Sequence, residues 1–111
     1  MEKNKPFRSF EEFWPYYVGE HRRVATRRLH FAGTTAAILC AVAAAIFLEP
    51  WLLPAALAVA YGVAWIGHFF VEGNKPATLR HPLWSMRGDI RMYLLMWRGR
   101  MGGEVDRLTR E

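Results

Sequence analysis

Two long apolar blocks dominate the pattern of hydrophobic and polar positions along the chain. Residues 31–48 and 51–71 carry no charged side chain, and Glu49 is the only charged residue between them. As α-helices rising about 1.5 Å per residue, these blocks would reach about 27 and 31 Å, which matches the roughly 30 Å hydrocarbon core of a bilayer. The pattern therefore predicts transmembrane helices over residues 30–48 and 51–72.

Shorter segments on either side have the periodicity of amphipathic helices. Ser9 and Glu12 have the spacing of a capping box, and large aromatic residues follow at helical intervals. Near the C-terminus the repeating apolar residues are Ile90, Tyr93, Leu94, Trp97 and Met101. We expect interfacial helices over about 9–24 and about 88–101, separated from the spans by a loop over 73–86 on the C-terminal side.

The predicted fold is all-α: an integral membrane hairpin of two transmembrane helices, flanked by N- and C-terminal amphipathic interfacial helices, in a single domain over 1–111. All fifteen Lys and Arg residues lie outside the apolar blocks. The positive-inside rule then predicts that both termini are cytoplasmic, at the inner membrane if the protein is bacterial. Asp89 is expected to cap the last helix, and the polar residues after it are expected to fray.

The basic composition bears on the choice of partner. The sequence pI is about 9.9, but the basic residues flank apolar blocks, an arrangement typical of binding to anionic lipid headgroups. We therefore expect membrane lipid as a partner and no nucleic acid. The charged segment before the first block argues against a cleaved signal peptide.

All four histidines are predicted to lie at one level of the membrane. His21 and His30 precede or begin the first span, His68 lies in the last turn of the second, and His81 follows it. Because the two spans are antiparallel, the start of one and the end of the other meet on the same side. Glu72 lies one helical turn after His68 and could share a metal ion with it or orient its imidazole.

A metal site at this level requires a break in the first helix. His21 and His30 are nine residues apart, which places them on opposite faces of a straight helix, and Thr26 is a candidate N-cap for the break. A lone interfacial histidine is more often a hydrogen-bonded residue than a ligand, but four at one level favour a site. Imidazoles with one carboxylate suit Fe(II), Zn(II) or Mn(II), and the spacing does not choose between them.

Polar residues beside the histidines have two interpretations. Arg22, Arg23, Arg27 and Arg28 form a run typical of lipid anchoring, although one arginine could also bind a substrate carboxylate. Asn74 is equally typical of a turn residue and of a hydrogen-bond donor near the site.

Two segments, FWPYYVGEHRRVATRRLHFAGT and GHFFVEGNKPATLRHPLWSMRGD, resemble the small membrane family that includes the fungal endoplasmic-reticulum 2-hydroxy fatty acid dioxygenase. The resemblance covers residues 10–93. Its motifs are the aromatic-rich approach to His21, the Arg28-x-His30-x-x-Gly33 step, and Gly67-His68 through Glu72, Asn74, Pro76 and Ala77.

The resemblance implies an Fe(II)-dependent α-oxidation, in which a 2-hydroxy fatty acid and O2 give CO2 and an acid one carbon shorter. It implies that His21, His30 and His68 are the catalytic metal ligands and that Fe(II) is preferred over Zn(II). His81 departs from the fungal pattern, so the fourth ligand, His81 or Glu72, stays open. Arg22, Arg28 and Asn74 are then candidates for binding the substrate carboxylate. The chain has fewer spans than the fungal members, and a homodimer could restore a larger bundle.

Three other functions compete with this hypothesis. A hairpin with flanking interfacial helices could shape or scaffold a membrane without using its histidines. Histidines on facing helices could also be axial ligands of a haem. A zinc hydrolase is disfavoured, since the sequence has no His-Glu-x-x-His motif.

Overall fold

The computed structural model describes residues 7–76 and 79–109 of the chain. The described residues form five α-helices without a β-strand, which confirms the all-α class. The helices are α1 (Phe10–Gly19), α2 (Val24–Phe47), α3 (Leu52–Ile66), α4 (Pro82–Trp97) and α5 (Met101–Thr109), and α3 continues into a π-helical segment, Gly67–Glu72.

These helices belong to two compact units. The aromatic unit comprises Met1–His21 and Ala77–Glu111 and contains α1, α4 and α5. The hairpin unit comprises Arg22–Pro76 and contains α2, α3 and the π-helical segment. The single domain over 1–111 stays a prediction.

Two long apolar helices make up the hairpin unit. α2 has 24 residues and Leu52–Glu72 has 21, and both are long and apolar enough to cross a membrane. Only 17% and 22% of the residues in their most apolar windows are buried, whereas the core helix of a soluble protein would be mostly buried. Exposed apolar surface of this extent is typical of helices that face lipid.

Glycine allows the two helices of the hairpin to approach closely. A Cβ atom at Gly33 of α2 would lie 3.2 Å from the carbonyl oxygen of Ala60 and 3.2 Å from Cβ of Val63. A Cβ at Gly62 of α3 would meet nothing within 4 Å. Because helices in lipid associate through close packing and not through the hydrophobic effect, the packing of the hairpin depends on Gly33.

The boundary between α1 and α2 falls at residues 20–23, earlier than the sequence predicted. α1 ends at Gly19 and not near residue 24, and Thr26, the expected N-cap, lies buried inside α2. The N-cap of α2 is Arg23, and its backbone N–H donates to Glu72 Oε1 at 2.6 Å. This hydrogen bond ties the start of α2 to the end of the π-helical segment. Hydropathy marks only the apolar part of a helix, so it missed the polar first turns of α2.

Aromatic side chains of α1 form most of the core of the aromatic unit. The buried core residues are Phe10, Phe13, Trp14, Tyr17 and Val18 of α1, Met92 of α4, and Met101 and Val105 of α5. The aromatic spacing that predicted an interfacial helix therefore marks the face of α1 that packs inside this unit.

α4 begins at Pro82, inside the segment predicted to be a loop. Proline is well suited to the first turn of a helix, because its missing N–H would have no partner there and its φ is already helical. Asp89, expected to be a cap, lies in the middle of α4, where its carboxylate accepts a hydrogen bond from the Tyr17 hydroxyl. A tertiary contact, not a helix end, explains this acidic residue.

Residues 102–109, most of the C-terminal segment expected to fray, form α5 together with Met101, and residues 110 and 111 lie outside the described part of the chain. Met101 and Val105 are buried, so Met101 does not belong to an interfacial face as predicted. The indole Nε1–H of Trp14 donates to Glu104 Oε2 at 2.8 Å, and Arg107 Nε donates to Glu104 Oε1 at 3.1 Å. Met101 and Val105 lie one turn apart and pack α5 against the core. The segment is otherwise polar, so its composition did not predict this helix.

Replacing Gly33 with valine should destabilise the hairpin unit, because the added side chain would press against Ala60 and Val63. Overpacking of this kind costs about 1–3 kcal/mol, and we expect a lower midpoint of thermal unfolding in detergent micelles. The matched control is Gly62→Val, which enters open space and should unfold near the wild-type midpoint. Equal midpoints for the two variants would contradict the packing at Gly33.

Candidate metal centre

His30 and His68 face each other inside the hairpin unit. His30 lies on α2, His68 lies in the π-helical segment, and both side chains are buried. Their Nε2 atoms are 3.3 Å apart, and their ring planes meet at 86°. Gly67 permits this approach, since a Cβ atom there would lie 3.3 Å from side-chain atoms of Leu29 and Thr26. The hairpin thus joins two histidines separated by 38 positions in the sequence.

The end of the π-helical segment sets the environment of His68. The His68 carbonyl oxygen accepts hydrogen bonds from the backbone N–H groups of Gly73 and Asn74, both at 2.9 Å. Gly73 has a φ of 78°, in the left-handed region that glycine adopts readily. The chain therefore turns back, and Asn74 Oδ1 lies 2.7 Å from His68 Nδ1. Because an amide oxygen can only accept, neutral His68 carries its proton on Nδ1 and its lone pair on Nε2.

His21, in the aromatic unit, also directs its Nδ1 atom at an oxygen that can only accept. It follows α1 closely and is 1% exposed. Its Nδ1 atom lies 2.7 Å from the carbonyl oxygen of Tyr17, and its ring stacks on the Tyr17 ring with centroids 4.1 Å apart. A carbonyl oxygen also can only accept, so neutral His21 carries its lone pair on Nε2 as well. Hydrogen bonds of this kind fix the tautomer and the ring orientation of metal-binding histidines.

The three histidines suit a metal centre. His21, His30 and His68 are buried and form a group that could hold a metal ion. Two metal–nitrogen bonds of about 2.1 Å at an angle of about 90–109° would place adjacent ligand nitrogens about 3.0–3.4 Å apart. The 3.3 Å between His30 and His68 falls in this range. The triad could therefore bind a metal ion, and its imidazole nitrogens suit iron and zinc alike.

The same spacing bears on the haem alternative. Nitrogens on opposite sides of one iron would be separated by two bond lengths, about 4 Å, with the porphyrin plane between them. His30 and His68 are closer than this and nearly perpendicular. They fit adjacent positions around a single ion better than the two axial positions of a haem.

The two other candidate ligands make different contacts. Among the described residues, the group of potential ligands contains neither His81 nor Glu72. His81 packs against Phe7, Phe13 and Tyr16, with ring centroids 5.1, 5.6 and 6.0 Å away. Burial, and then the charge of neighbouring Arg80, lowers the pKa of His81 below its ordinary value. The fourth ligand stays a prediction.

The arginines at the start of the hairpin unit differ in burial. Arg22 and Arg28, the candidates for carboxylate binding, are both exposed at the start of the hairpin unit. Arg27 is buried, and its guanidinium donates to the carbonyl oxygen of Arg22 at 2.6 Å. The sequence did contain a signal for this, because Arg27 is three residues before His30 and therefore shares its helix face.

Removing the acceptor of Asn74 should weaken metal binding without removing a ligand. Loss of a group that orients a histidine ligand typically lowers metal affinity about 10–100-fold, and we expect a loss of that size in Asn74→Ala. Co(II) titration followed by visible absorption measures it. Asn74→Asp keeps an oxygen near His68 and should bind much more tightly than Asn74→Ala. Lys75→Ala, at the exposed next position, is the control, and wild-type affinity in Asn74→Ala would refute the role.

One pair of variants tests whether Glu72 stabilises the start of α2 and whether it binds the metal. Glu72→Gln keeps an oxygen to accept from the Arg23 backbone N–H but removes the carboxylate, so we expect it to keep its metal content. Glu72→Ala should lower the midpoint of thermal unfolding, because the start of α2 loses its acceptor. Elemental analysis measures the metal content, and thermal unfolding in detergent measures the stability separately. Loss of metal from Glu72→Gln at an unchanged midpoint would instead make Glu72 a ligand.

Comparison with known proteins supports the resemblance seen in the sequence motifs. Residues 7–101 match the family model described as Mpo1-like, 2-hydroxy-palmitic acid dioxygenase Mpo1-like. No curated protein and no solved structure matches the chain. The matched residues include all three histidines of the triad and most of the sequence. The chain therefore belongs to the Mpo1-like family.

Proposed function

We propose that this protein is an Fe(II)-dependent dioxygenase of fatty-acid α-oxidation. In the proposed reaction a 2-hydroxy fatty acid and O2 give an acid one carbon shorter, CO2 and water. The observation that carries the proposal is the cluster of three buried histidines, His21, His30 and His68, in a chain of the Mpo1-like family. The family description names the 16-carbon acid, which makes it the first substrate to test.

The histidines would hold the metal as neutral imidazoles. His21 and His68 each direct Nδ1 at an oxygen that can only accept, so each keeps its lone pair on Nε2. When bound, Fe(II) would supply the redox chemistry with O2 that no side chain of the triad can supply. The work of the chain is to hold the three rings in place and to keep bulk water away from them, which their burial supports.

Arginines at the start of α2 would bind the substrate carboxylate. Arg22 and Arg28 are exposed, and Arg28 lies on the same helix as His30. A guanidinium can bind a carboxylate through two parallel hydrogen bonds. The tail of the fatty acid would then lie along the apolar surface of the hairpin, among lipid chains. Asn74 would act on His68, through the hydrogen bond described above, and not on the substrate.

Membrane lipid as a partner is supported by the surface of α4. Five large apolar side chains on this helix are exposed: Leu83, Met86, Ile90, Leu94 and Trp97. They recur every three or four residues and so share one face, while Ser85, Gly88 and Met92 are buried on another. Arg87 and Arg91 add positive charge to the helix. An apolar face with basic neighbours suits the interface of an anionic bilayer.

Both cytoplasmic termini and a homodimer stay part of this proposal as predictions. The first rests on the distribution of Lys and Arg around the spans. The second rests on the comparison with the larger fungal members.

The proposal predicts one equivalent of iron per chain that depends on the triad. Protein purified anaerobically in detergent should contain iron near one per chain by elemental analysis, and His21→Ala, His30→Ala and His68→Ala should each lose most of it. The same preparations, supplied with 2-hydroxyhexadecanoic acid and O2, should form the 15-carbon acid only when iron is bound. Circular dichroism checks that each variant keeps its helices.

A fourth histidine variant tests the boundary of the site. His81→Phe keeps an aromatic ring in the cluster with Phe7 and Phe13, and it should keep its iron. Loss of iron from this variant would identify His81 as the fourth ligand. Wild-type protein without any metal, and a triple histidine variant that still acts normally in cells, would favour a membrane scaffold over an enzyme.

A further inference from the structure

The ring of His21 is the end of an aromatic stack on one face of α1. Trp14 and Tyr17 lie one turn apart, with ring centroids 5.5 Å apart and planes at 12°. Tyr17 stacks in turn on His21, at 4.1 Å and 24°. All three side chains are buried. Tyr17 therefore contacts His21 twice, through its ring and through the carbonyl oxygen that accepts from Nδ1.

Two consecutive residues of α4 hold Tyr17 in place. A Cβ atom at Gly88 would lie 2.8 Å from Cδ2 and 2.9 Å from Cε2 of the Tyr17 ring, so α4 comes this close only because residue 88 is glycine. The next residue, Asp89, accepts the hydrogen bond of the Tyr17 hydroxyl through Oδ1. The ring is thus fixed on its face by α4 and at its tip by a carboxylate.

Asp89 places a carboxyl group at a buried position, where an apolar side chain would cost less free energy. Burial raises the pKa of its carboxyl to about 7, although the hydrogen bond from Tyr17 acts in the opposite direction. Burying a carboxylate costs free energy that an apolar side chain would not. Groups kept in such places are concentrated at functional sites, and here the group is linked to a candidate metal ligand by one side chain.

We propose that Tyr17 and Asp89 are positioning residues for His21, in which Asp89 fixes the Tyr17 hydroxyl and Tyr17 holds the imidazole with its lone pair on Nε2. Gly88 contributes by admitting α4 to the face of the ring. The inference rests on the proposed role of His21 as a metal ligand. It extends that role, because it assigns to α4 a part in preparing the site before any metal is bound.

The first measurement determines the tautomers of the histidine rings in the metal-free protein. NMR of protein with ¹⁵N-labelled histidine, in detergent micelles, distinguishes Nδ1–H from Nε2–H tautomers, and His30 and His68 serve as internal references. Wild-type His21 should show one Nδ1–H tautomer. In Tyr17→Phe and Asp89→Ala its two nitrogen signals should move towards an average of tautomers or broaden, while the signals of His68 stay in place.

The second measurement reads the consequence for binding. In a Co(II) titration, Tyr17→Phe and Asp89→Ala should each raise the dissociation constant about tenfold or more at unchanged stoichiometry. Asp89→Asn keeps an oxygen acceptor for the hydroxyl and should restore most of the affinity. Gly88→Ala keeps every hydrogen-bonding group but displaces the ring, so it should also weaken binding. Asp106→Asn removes an exposed carboxylate of the same unit and is the matched control.

The outcomes separate this inference from the proposed function. Wild-type affinity together with unchanged His21 signals in Tyr17→Phe would overturn the inference and leave the iron enzyme standing. A loss of affinity in Asp106→Asn as large as that in Asp89→Ala would also overturn it, because net charge would then explain both. If even the wild-type protein binds no metal, the proposed function fails, and the His21 signals of the metal-free variants still decide whether Tyr17 and Asp89 hold the ring.

Discussion

Everything at the candidate site depends on the hydrogen bonding of buried imidazoles. A buried polar group without a partner costs about 1–3 kcal/mol, and an imidazole has two nitrogens with opposite needs when it is neutral. In His21 and His68 an oxygen that can only accept takes the Nδ1 proton, which leaves the lone pair on Nε2 in both rings. Without these acceptors the same residues would have no fixed tautomer and no fixed direction for metal binding.

The acceptors come from places where regular helix stops. The carbonyl oxygen of Tyr17 lies in the last turn of α1, where it accepts from the Glu20 backbone N–H at 3.1 Å and not from the N–H four residues ahead, so it can also accept from the His21 ring. Asn74 follows the π-helical segment and the left-handed turn at Gly73. π-helical turns are frequent at functional sites. They shift side chains out of the register of an α-helix. In this chain the ends of helices supply the acceptors that orient His21 and His68.

The predictions that depend on neighbouring residues succeeded, and those that depend on helix ends did not. The all-α class and the two apolar helices were predicted because hydropathy and periodicity are properties of neighbouring residues. The choice of His21, His30 and His68 came from the hairpin topology and from the family resemblance, and these three do form a potential metal-binding group. The expected break at Thr26, the loop before residue 87 and the frayed end were wrong, because caps, proline placement and a few buried apolar residues decide where a helix starts and stops.

By itself the sequence determined the two long apolar helices and the helical class, since these follow from local composition and spacing, while the hairpin topology and the family resemblance indicated the histidines able to bind a metal. Only the tertiary structure decided what the remaining polar residues do. Glu72 caps the start of α2 from 49 positions away, and Asp89 holds Tyr17 from 72 positions away. The physical reason is that a hydrogen bond depends on where two groups meet in space, and no periodicity of the chain records a contact over such separations.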